Sequence, residues 1–171
     1  MLVRKLGPDD VAFYRPLRLR ALREHPQAFT SSFEEEQAKP LSAAQARLGA
    51  APDLQFWGAF SDATGAELLG MVGLEREARR KARHKAHVIG MYVVPEAAGR
   101  GLGRALLETV IRDATGAGIE SLLLTVTDGN LGAQHLYRSA GFVAFGLEPA
   151  AIKVDGLAFA KQYMALQLAC P

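Results

Sequence analysis

A run of apolar residues that leads through a glycine-rich loop into an amphipathic segment constrains the fold of this chain more than any other feature. Residues 87–94 read HVIGMYVV and predict a buried central strand. Residues 99–104 read GRGLGR, and apolar residues then recur at helical spacing in RALLETVIRDA. This order of strand, glycine loop and helix turns backbone N–H groups and the positive end of a helix dipole toward one spot. Such a spot favours the binding of a phosphate group.

Three interpretations of the glycine loop compete, and its spacing separates them. A nucleotide hydrolase with a Walker loop needs Gly-Lys-Ser/Thr, whereas Gly103 is followed by Arg104 and Ala105. A dinucleotide site needs the spacing G-x-G-x-x-G after a first strand, whereas Gly99, Gly101 and Gly103 have the spacing G-x-G-x-G in mid-chain. Both classes are therefore disfavoured. From the loop alone, a tight turn without any ligand remains an open alternative.

The rest of the chain alternates between predicted strands and helices. We predict strands at residues 2–6, 54–60, 68–74, 121–127, 142–146, 151–154 and 157–168, and helices within residues 11–25, 42–48 and 130–140. Pro16 either kinks the first helix or marks a later start for it, and Gly49 and Gly141 are expected to end two other helices. Asp155 and Gly156 predict a turn between C-terminal strands. We therefore expect an α+β fold, with a mixed, mostly antiparallel central sheet flanked by helices, in a single domain over residues 1–171.

The charge balance and the single cysteine exclude several classes of protein. Lys and Arg total 20 against 18 Asp and Glu, a net charge of +2 that lacks the bias of a dedicated nucleic-acid binder. Cys170 is the only cysteine, so an internal disulfide and a Cys-rich zinc cluster are excluded. The sequence shows no run of about 18 apolar residues and no apolar leader. We expect a cytoplasmic protein that is neither secreted nor embedded in a membrane.

Two segments within residues 88–142 carry a resemblance to a known family. VVPEAAGRGLGRALL and LTVTDGNLGAQHLYRSAGF resemble the paired signatures of the GNAT superfamily of N-acetyltransferases, and residues 18–36 resemble the N-terminal helix and loop of many such enzymes. The family signature Gln/Arg-x-x-Gly-x-Gly/Ala falls on Ala98, Gly101 and Gly103, so both glycines match and Ala98 does not. The resemblance implies a GNAT-like fold and an N-acetyltransferase, which transfers a group other than an aminoacyl group, with acetyl-CoA as co-substrate and no metal.

By this resemblance, the acetyl-CoA site consists of the strand before the loop, the loop itself and the following helices. The family pairs the pantetheine arm with this strand like an added strand, which places backbone amides near the thioester carbonyl. The loop amides receive the pyrophosphate, and Ala98 removes one side-chain contact without removing those amides. The cofactor-binding residues that we expect are Met91, Val93, Val94, Gly99, Arg100, Gly101, Leu102, Gly103, Arg104, Asn130 and Tyr137.

Tyr137 is the predicted catalytic residue. It matches the tyrosine that such enzymes commonly place near the sulfur of CoA, and we assign it the role of general acid for the departing thiolate. A phenol with a pKa of about 10 stays protonated at neutral pH and can donate to a thiolate whose parent thiol has a pKa of about 8.5. From spacing alone, two plainer alternatives stay open: Tyr137 as an aromatic that fills a gap between helix and sheet, and Asn130 as only a helix N-cap.

No general base is assigned from the sequence. The strand HVIGMYVV contains no carboxylate, so we expect the proton of the amine to leave through water to a more distant group. The candidates are Glu34, Glu35, Glu36, Glu75 and His87, although a run of three glutamates is more typical of a solvated face. His84 and His87 lie three residues apart in a basic loop, where isolated histidines are usually surface groups, so no metal site is predicted.

The segment 76–87 is strongly basic and lies between two strands that we expect to form a hairpin. Its plain interpretation is a charged, solvated turn. Its charge could also attract the ribose phosphate of CoA, an acidic substrate or RNA. RNA ranks last because no aromatic residues are interleaved with the basic ones.

Two hypotheses of function follow. The first is an enzyme that transfers acetyl from acetyl-CoA to a primary amine by direct attack in a ternary complex. The second is a non-catalytic acyl-CoA-binding or sensor module, which Ala98 and the strand without a carboxylate leave open. The acceptor, a small molecule or a protein amine, cannot be identified because the N-terminal helices carry no diagnostic pattern. Neither a membrane nor a nucleic acid is expected as a partner, and a monomer and a homodimer both fit the composition.

Overall fold

A computed structural model describes residues 1–169 of the chain, and Cys170 lies outside them. The strands are β1 (Leu2–Leu6), β2 (Leu54–Phe60), β3 (Leu68–Arg76), β4 (Lys85–Val93), β5 (Ser121–Thr127), β6 (Val143–Val154) and β7 (Leu157–Gln167). The helices are α1 (Val11–Glu24), α2 (Phe33–Ala38), α3 (Leu41–Leu48), α4 (Leu102–Gly116) and α5 (Leu131–Ser139). None of the helices within residues 1–169 is long and apolar enough to cross a membrane.

The seven strands form one sheet in the order β1-β2-β3-β4-β5-β7-β6. Neighbouring strands run antiparallel everywhere except between β4 and β5, which are parallel. Helix α4 connects these two strands, as a parallel connection requires. The predicted architecture, a mixed and mostly antiparallel sheet flanked by helices, is confirmed.

Alternation of side chains along β2 shows that helices cover both faces of the sheet. Phe56 faces α1, where its ring centroid lies 5.2 Å from that of Tyr14. Trp57 faces the opposite side, and its Nε1 donates a hydrogen bond to Asp113 of α4 at 3.0 Å. Both β2 rings are 1% exposed, so this part of the sheet is buried on its two faces. The core therefore holds β2, β3 and β4 rigidly against α1 and α4.

The N-terminal helices differ from the sequence-based expectations in two respects. Helix α1 begins at Val11 after a turn of 3-10 helix at Pro8–Asp10 and continues through Pro16, so Pro16 does not mark its first turn. Helix α2 was not predicted. It begins with a capping box, in which the Ser32 hydroxyl accepts from the Glu35 amide at 3.1 Å and the Glu35 carboxylate accepts from the Ser32 amide at 3.0 Å.

The C-terminal half differs mainly in the continuity of β6. Two short strands were predicted there, whereas β6 is one strand with register shifts between Ala144 and Gly146 and between Glu148 and Ile152. Bulges of this kind let a strand absorb residues that break a simple alternation. The residue at the C-cap of α5 is Ala140, and Gly141 follows it with a φ of +97°.

Candidate functional site

The sheet opens between its two parallel strands. The paired register of β4 and β5 covers only Lys85–His87 against Ser121–Leu123. In the described structure, residues 88–93 and 124–127 have no strand partner on the facing edges, although β3 and β7 pair with the opposite edges. This β4–β5 gap has an outer groove of about 840 Å³, bordered by Val93, Gly101 and Leu136. It also has an inner cavity, bordered by Gly90, Thr127 and Tyr137.

A β-bulge in β4 lies at the centre of the gap. Met71 of β3 is opposite Tyr92 and Gly73 is opposite Ile89, so β4 carries one more residue than β3 over this stretch. Gly90 has a φ of +62°, the left-handed conformation that glycine adopts without steric cost. The bulge interrupts the regular ladder between β3 and β4. Gly90 and Met91 therefore have no paired residue on β3, and beyond His87 β4 has none on β5 either.

The glycine loop forms an open cradle at the mouth of the outer groove. Gly99 and Gly101 have φ values of +74° and +78°, and a Cβ at either position would meet no atom within 4 Å. The first hydrogen bond of α4 runs from the Ala105 amide to the Gly101 carbonyl at 3.0 Å, so the amides of residues 102–104 precede it. Open space, free helix amides and the positive helix end together fit a phosphate group.

The third glycine of the loop and its two arginines have different surroundings. A Cβ on Gly103 would lie 3.3 Å from the Leu136 side chain, so this glycine allows close packing of α4 against α5. Arg104 Nε donates to Glu108 Oε1 at 2.8 Å and is thus already paired on the surface of α4. Arg100 is exposed beside the cradle and does not border the outer groove.

Tyr137 of α5 lies at the inner end of the gap. Its side chain is 6% exposed and its ring packs edge-on against Phe142, with centroids 5.9 Å apart. Burial raises the pKa of the Tyr137 phenol to about 12. Within residues 1–169 burial is the only cause of this pKa shift, and no charge or hydrogen bond to the phenol contributes to it. The phenol therefore stays protonated at physiological pH and has a hydrogen bond to give to a ligand in the inner cavity.

The structure brings together most of the residues predicted for the cofactor site. Those that border the outer groove are Met91, Val93, Gly99, Gly101, Leu102, Gly103, Arg104 and Asn130, and Tyr137 borders the inner cavity together with Met91 and Asn130. Val94 borders neither space: its side chain is buried and its amide donates to the Leu69 carbonyl at 2.9 Å. Asn130 is the N-cap of α5, because its Oδ1 accepts from the Ala133 amide at 3.2 Å.

None of the candidate bases borders the inner cavity in the described part of the chain. Glu35 caps α2, and Glu36 pairs with Lys39 at 2.5 Å. His87 Nε2 pairs with Glu77 Oε1 at 2.9 Å. Glu75 lies opposite His87 in the register of β3 and β4. Glu34 borders a separate surface pocket. None of these side chains is therefore positioned to take a proton directly from a group in the inner cavity.

Sequence reasoning missed three basic residues that border the inner cavity: Arg18, Arg47 and Lys161. Burial lowers the pKa of Lys161, whose Nζ lies 3.4 Å from Thr30 Oγ1. Burial likewise lowers the pKa of Arg18. Arg18 had a detectable signal, because it follows Tyr14 by four residues on the apolar face of α1. Arg47 and Lys161 become neighbours of this site only through the tertiary fold.

The basic segment 76–87 has an ordinary structural role in this fold. It includes the end of β3, a 3-10 turn at Arg80–Ala82 and the start of β4, which confirms the expected hairpin. Arg76 donates to the Ala117 carbonyl at 2.9 Å, and none of the segment borders the outer groove or the inner cavity. Within residues 1–169 there is also no group of three or more His, Cys, Asp or Glu positioned around a common metal position.

Comparison with known proteins identifies the family. The profile of the Acetyltransferase (GNAT) family matches residues 19–142, which include the end of α1, the whole of β4, the glycine loop, α4, β5 and α5. The chain belongs to the GNAT acetyltransferase family. This membership confirms the family predicted from the paired signatures, and the match covers the strand, loop and tyrosine that form the gap.

Curated relatives and solved structures agree with this assignment. The chain is 36% identical to the N-alpha-acetyltransferase RimI of Mycobacterium tuberculosis over 108 residues, which are 63% of both proteins. It is 38% identical to the mycothiol acetyltransferase of Frankia casuarinae over 61 residues, which are 36% of this chain and 17% of that protein. The chain thus matches less than two thirds of the length of these curated relatives.

The fold is shared over nearly the whole chain with solved GNAT structures. The structure of yncA from Salmonella typhimurium with its cofactor acetyl-CoA has a TM-score of 0.78 at 23% identity, and the match covers 99% of this chain and 94% of that one. A ribosomal-protein-alanine N-acetyltransferase from Brucella melitensis has a TM-score of 0.80 at 20% identity, with coverages of 98% and 100%. At such identities the likeness establishes the fold of this GNAT family member, and its chemistry is argued from its own residues.

Proposed function

We propose that this GNAT family member transfers the acetyl group of acetyl-CoA to a primary amine by direct attack in a ternary complex. The observation that carries the proposal is the continuity of the β4–β5 gap. It runs from an open cradle of glycine-loop amides to a buried, protonated tyrosine. A long acyl donor with phosphates at one end and a thioester at the other matches both ends of this gap.

The donor is held by backbone groups in this proposal. The pyrophosphate binds the amides of residues 99–104, where open space in front of Gly99 and Gly101 admits it. The pantetheine arm pairs with the unpaired edge of β4, in the manner of an added strand. The bulge at Gly90 then sets an amide near Met91 beside the thioester carbonyl. Preorganised N–H donors at that position stabilise the oxyanion that forms on attack.

The chemical step needs no covalent enzyme intermediate. The nitrogen lone pair of the amine attacks the thioester carbon, the C–N bond forms, and the C–S bond then breaks. Tyr137 gives its hydroxyl proton to the leaving thiolate, while the proton of the attacking nitrogen leaves through water. Because burial raises the pKa of Tyr137 to about 12, the phenol keeps its proton until negative charge develops on the sulfur, and water restores the phenol proton afterwards.

The first experiment tests the phosphate cradle by isothermal calorimetry with acetyl-CoA. Gly101→Glu places a carboxylate in the cradle, and Gly118→Glu is its matched control. Both glycines have similar φ values, +78° and +75°, and open space around them, but Gly118 lies at the other end of α4. We expect micromolar binding by the wild type and by Gly118→Glu, and loss of binding by Gly101→Glu. Absence of binding to the wild type would show that the proposal is wrong.

Turnover separates the enzyme from the alternative of a non-catalytic acyl-CoA-binding module. The assay follows release of the CoA thiol from acetyl-CoA in the presence of a panel of primary amines. An amine-dependent release at least tenfold above the rate without amine supports the enzyme. Acetyl-CoA binding without release for any amine favours the binding module, for which Ala98 and the absence of a nearby carboxylate are the structural arguments.

A further inference from the structure

The inner cavity contains a buried guanidinium that has no counterion in the described structure. Arg18 is 9% exposed, its Nε is inaccessible to solvent, and neither a hydrogen bond nor an ion pair within residues 1–169 satisfies it. Burial of an unpaired charge costs several kcal/mol of folding free energy in proteins. Such a residue is expected in a fold only where something else offsets the cost, and a bound anion is the direct way to do so.

A second arginine shares this environment. Arg47 of α3 also has a buried Nε without a hydrogen-bond partner among the described residues. Its guanidinium stacks on Phe56 at 5.0 Å from the ring centroid, and that of Arg18 stacks on Phe29, also at 5.0 Å. The two aromatic rings hold the guanidinium planes in place without using their N–H groups. These donors remain available to a ligand with paired oxygens.

The two arginines lie where the acceptor amine must enter. Arg18 Nη1 is 4.0 Å from the position that a Cβ on Gly90 would occupy, and the edge of the Phe56 ring is 3.6 Å from it. Gly90 forms the bulge at which the thioester carbonyl is held in the proposed function. An anion bound by Arg18 and Arg47 is therefore within the length of a small molecule from the reacting carbon.

All the charged side chains that border the inner cavity within residues 1–169 are basic. Lys161 of β7 adds a third basic side chain, and no Asp or Glu within residues 1–169 borders the cavity. Glu36 is an acid whose charge acts on Arg18, and it borders a neighbouring pocket that Arg18 and Arg47 also line. Its carboxylate, however, already pairs with Lys39 there. The phosphates of CoA have their own binding groups at the opposite end of the gap, in the cradle of residues 99–104. The inner cavity thus favours an anion other than those phosphates.

We propose that the acceptor is a small amine that also carries a carboxylate or a similar oxyanion, and that Arg18 and Arg47 bind this group while the amine faces the thioester. The inference rests on the proposed function. An amino acid has the required chemistry. Two-point binding of this kind fixes the nitrogen in an attacking position, because a planar guanidinium pairs with two oxygens at once.

The test compares acceptors in pairs that differ only in the anion. Each α-amino acid of a panel is assayed beside its carboxamide, which keeps the amine and removes the negative charge. Wild type, Arg47→Gln and Arg23→Gln are compared, because Arg23 stacks on Phe33 at 4.3 Å in the same way but does not border the inner cavity. Arg47 is only half-buried, so its replacement is less disruptive than that of Arg18.

We expect kcat/KM to favour the anionic member of the best pair at least tenfold in the wild type and in Arg23→Gln. The ratio should fall below threefold in Arg47→Gln, mainly through KM, with acetyl-CoA affinity unchanged. Neutral partners that react as well as the acids would overturn the inference and leave the proposed function intact. If no amine reacts, the anion site is tested by calorimetry of the acetyl-CoA-bound protein with the same acids. Binding that Arg47→Gln loses supports the anion site, and no binding of any acid overturns it.

Discussion

Replacement of Tyr137 by phenylalanine tests the central chemical assignment. The change removes one oxygen from a side chain that is 6% exposed and keeps the ring that packs against Phe142. Within residues 1–169 no hydrogen bond to the phenol contributes to its pKa shift, so loss of the hydroxyl leaves no other group unpaired. The free energy of unfolding at pH 8 should therefore change by less than about 1 kcal/mol. Acetyl-CoA affinity should stay within about threefold of the wild type, because the cradle and β4 are untouched.

The catalytic effect should be much larger than the effect on stability. Loss of a positioned general acid lowers rates by about 10²- to 10⁴-fold. That range corresponds to about 2.7 to 5.4 kcal/mol of activation free energy, at 1.36 kcal/mol for each factor of ten. The loss should appear in kcat, since the hydrogen bond to the thiolate forms only as the C–S bond breaks.

The pH dependence of stability provides an independent measurement on the same pair of proteins. Burial raises the pKa of Tyr137 to about 12, whereas an unfolded tyrosine has a pKa of about 10. Below pH 10 the phenol is neutral in both states and contributes no difference. As pH rises above 10, the unfolded state gains stability by ionising and the wild type is destabilised. At pH 11 the phenylalanine variant should therefore gain about 1.4 kcal/mol relative to the wild type, measured by urea unfolding at pH 8 and pH 11.

The assay is thiol release at saturating acetyl-CoA with the best acceptor of the amine panel, together with calorimetry of acetyl-CoA binding. Tyr163→Phe is the matched control, because Tyr163 is a tyrosine of β7 whose hydroxyl donates to Glu148 at 2.6 Å, outside the gap. We expect the control to retain the wild-type kcat. A Tyr137→Phe variant with a kcat within twofold of the wild type would refute the general-acid assignment.

Three further substitutions have expected outcomes. Gly90→Ala, at a φ of +62°, should lower the free energy of unfolding by about 1–2 kcal/mol and reduce kcat, and an unchanged urea midpoint would contradict the strain argument. Ala98→Gln introduces the side chain of the family signature at the edge of the outer groove and should tighten acetyl-CoA binding about tenfold in calorimetry. Equal affinities of the variant and the wild type would disprove a contact there. Lys161→Met should raise the thermal midpoint at pH 7, because burial lowers the pKa of Lys161 and so penalises its charged form in the folded state. This gain should shrink as pH rises through the lowered pKa of the folded lysine and should be gone above about 10.4, where the lysine is neutral in both states. A gain that persists at pH 11 would contradict this account.

The elements around the glycine loop could be predicted from the sequence because their signals are local. A continuous apolar run identifies β4, and glycines at 99 and 101 match positions whose φ values exclude most other residues. The helical spacing after them identifies α4. By contrast, α2 escaped prediction because six residues are too short for a periodic signal, and its capping box is recognisable only once a helix is assumed.

The inner cavity could be predicted only in part. Tyr137 was found through its surrounding pattern, whereas Arg47 and Lys161 come from α3 and β7, which meet only when the sheet is assembled. Arg18 was hidden for another reason. A charged residue on a helix is usually taken as part of the solvated face. The place of Arg18 on the apolar face of α1 indicates that it is buried, but it does not show that the side chain approaches Gly90. The candidate bases were suggested by their titratable side chains alone. Within residues 1–169 none of them borders the inner cavity.

The β4–β5 gap divides the sheet into two halves that pair over only a few residues. In the described structure these halves share the short register at residues 85–87 and 121–123. In the proposed function, bound acetyl-CoA bridges these halves. A ligand present at about 100 times its dissociation constant adds about 2.7 kcal/mol to the stability of the folded state. If acetyl-CoA binds in the gap as proposed, we expect the chain to open more often at this seam without it, so that a protease should cut the ligand-free protein faster than the acetyl-CoA-bound protein.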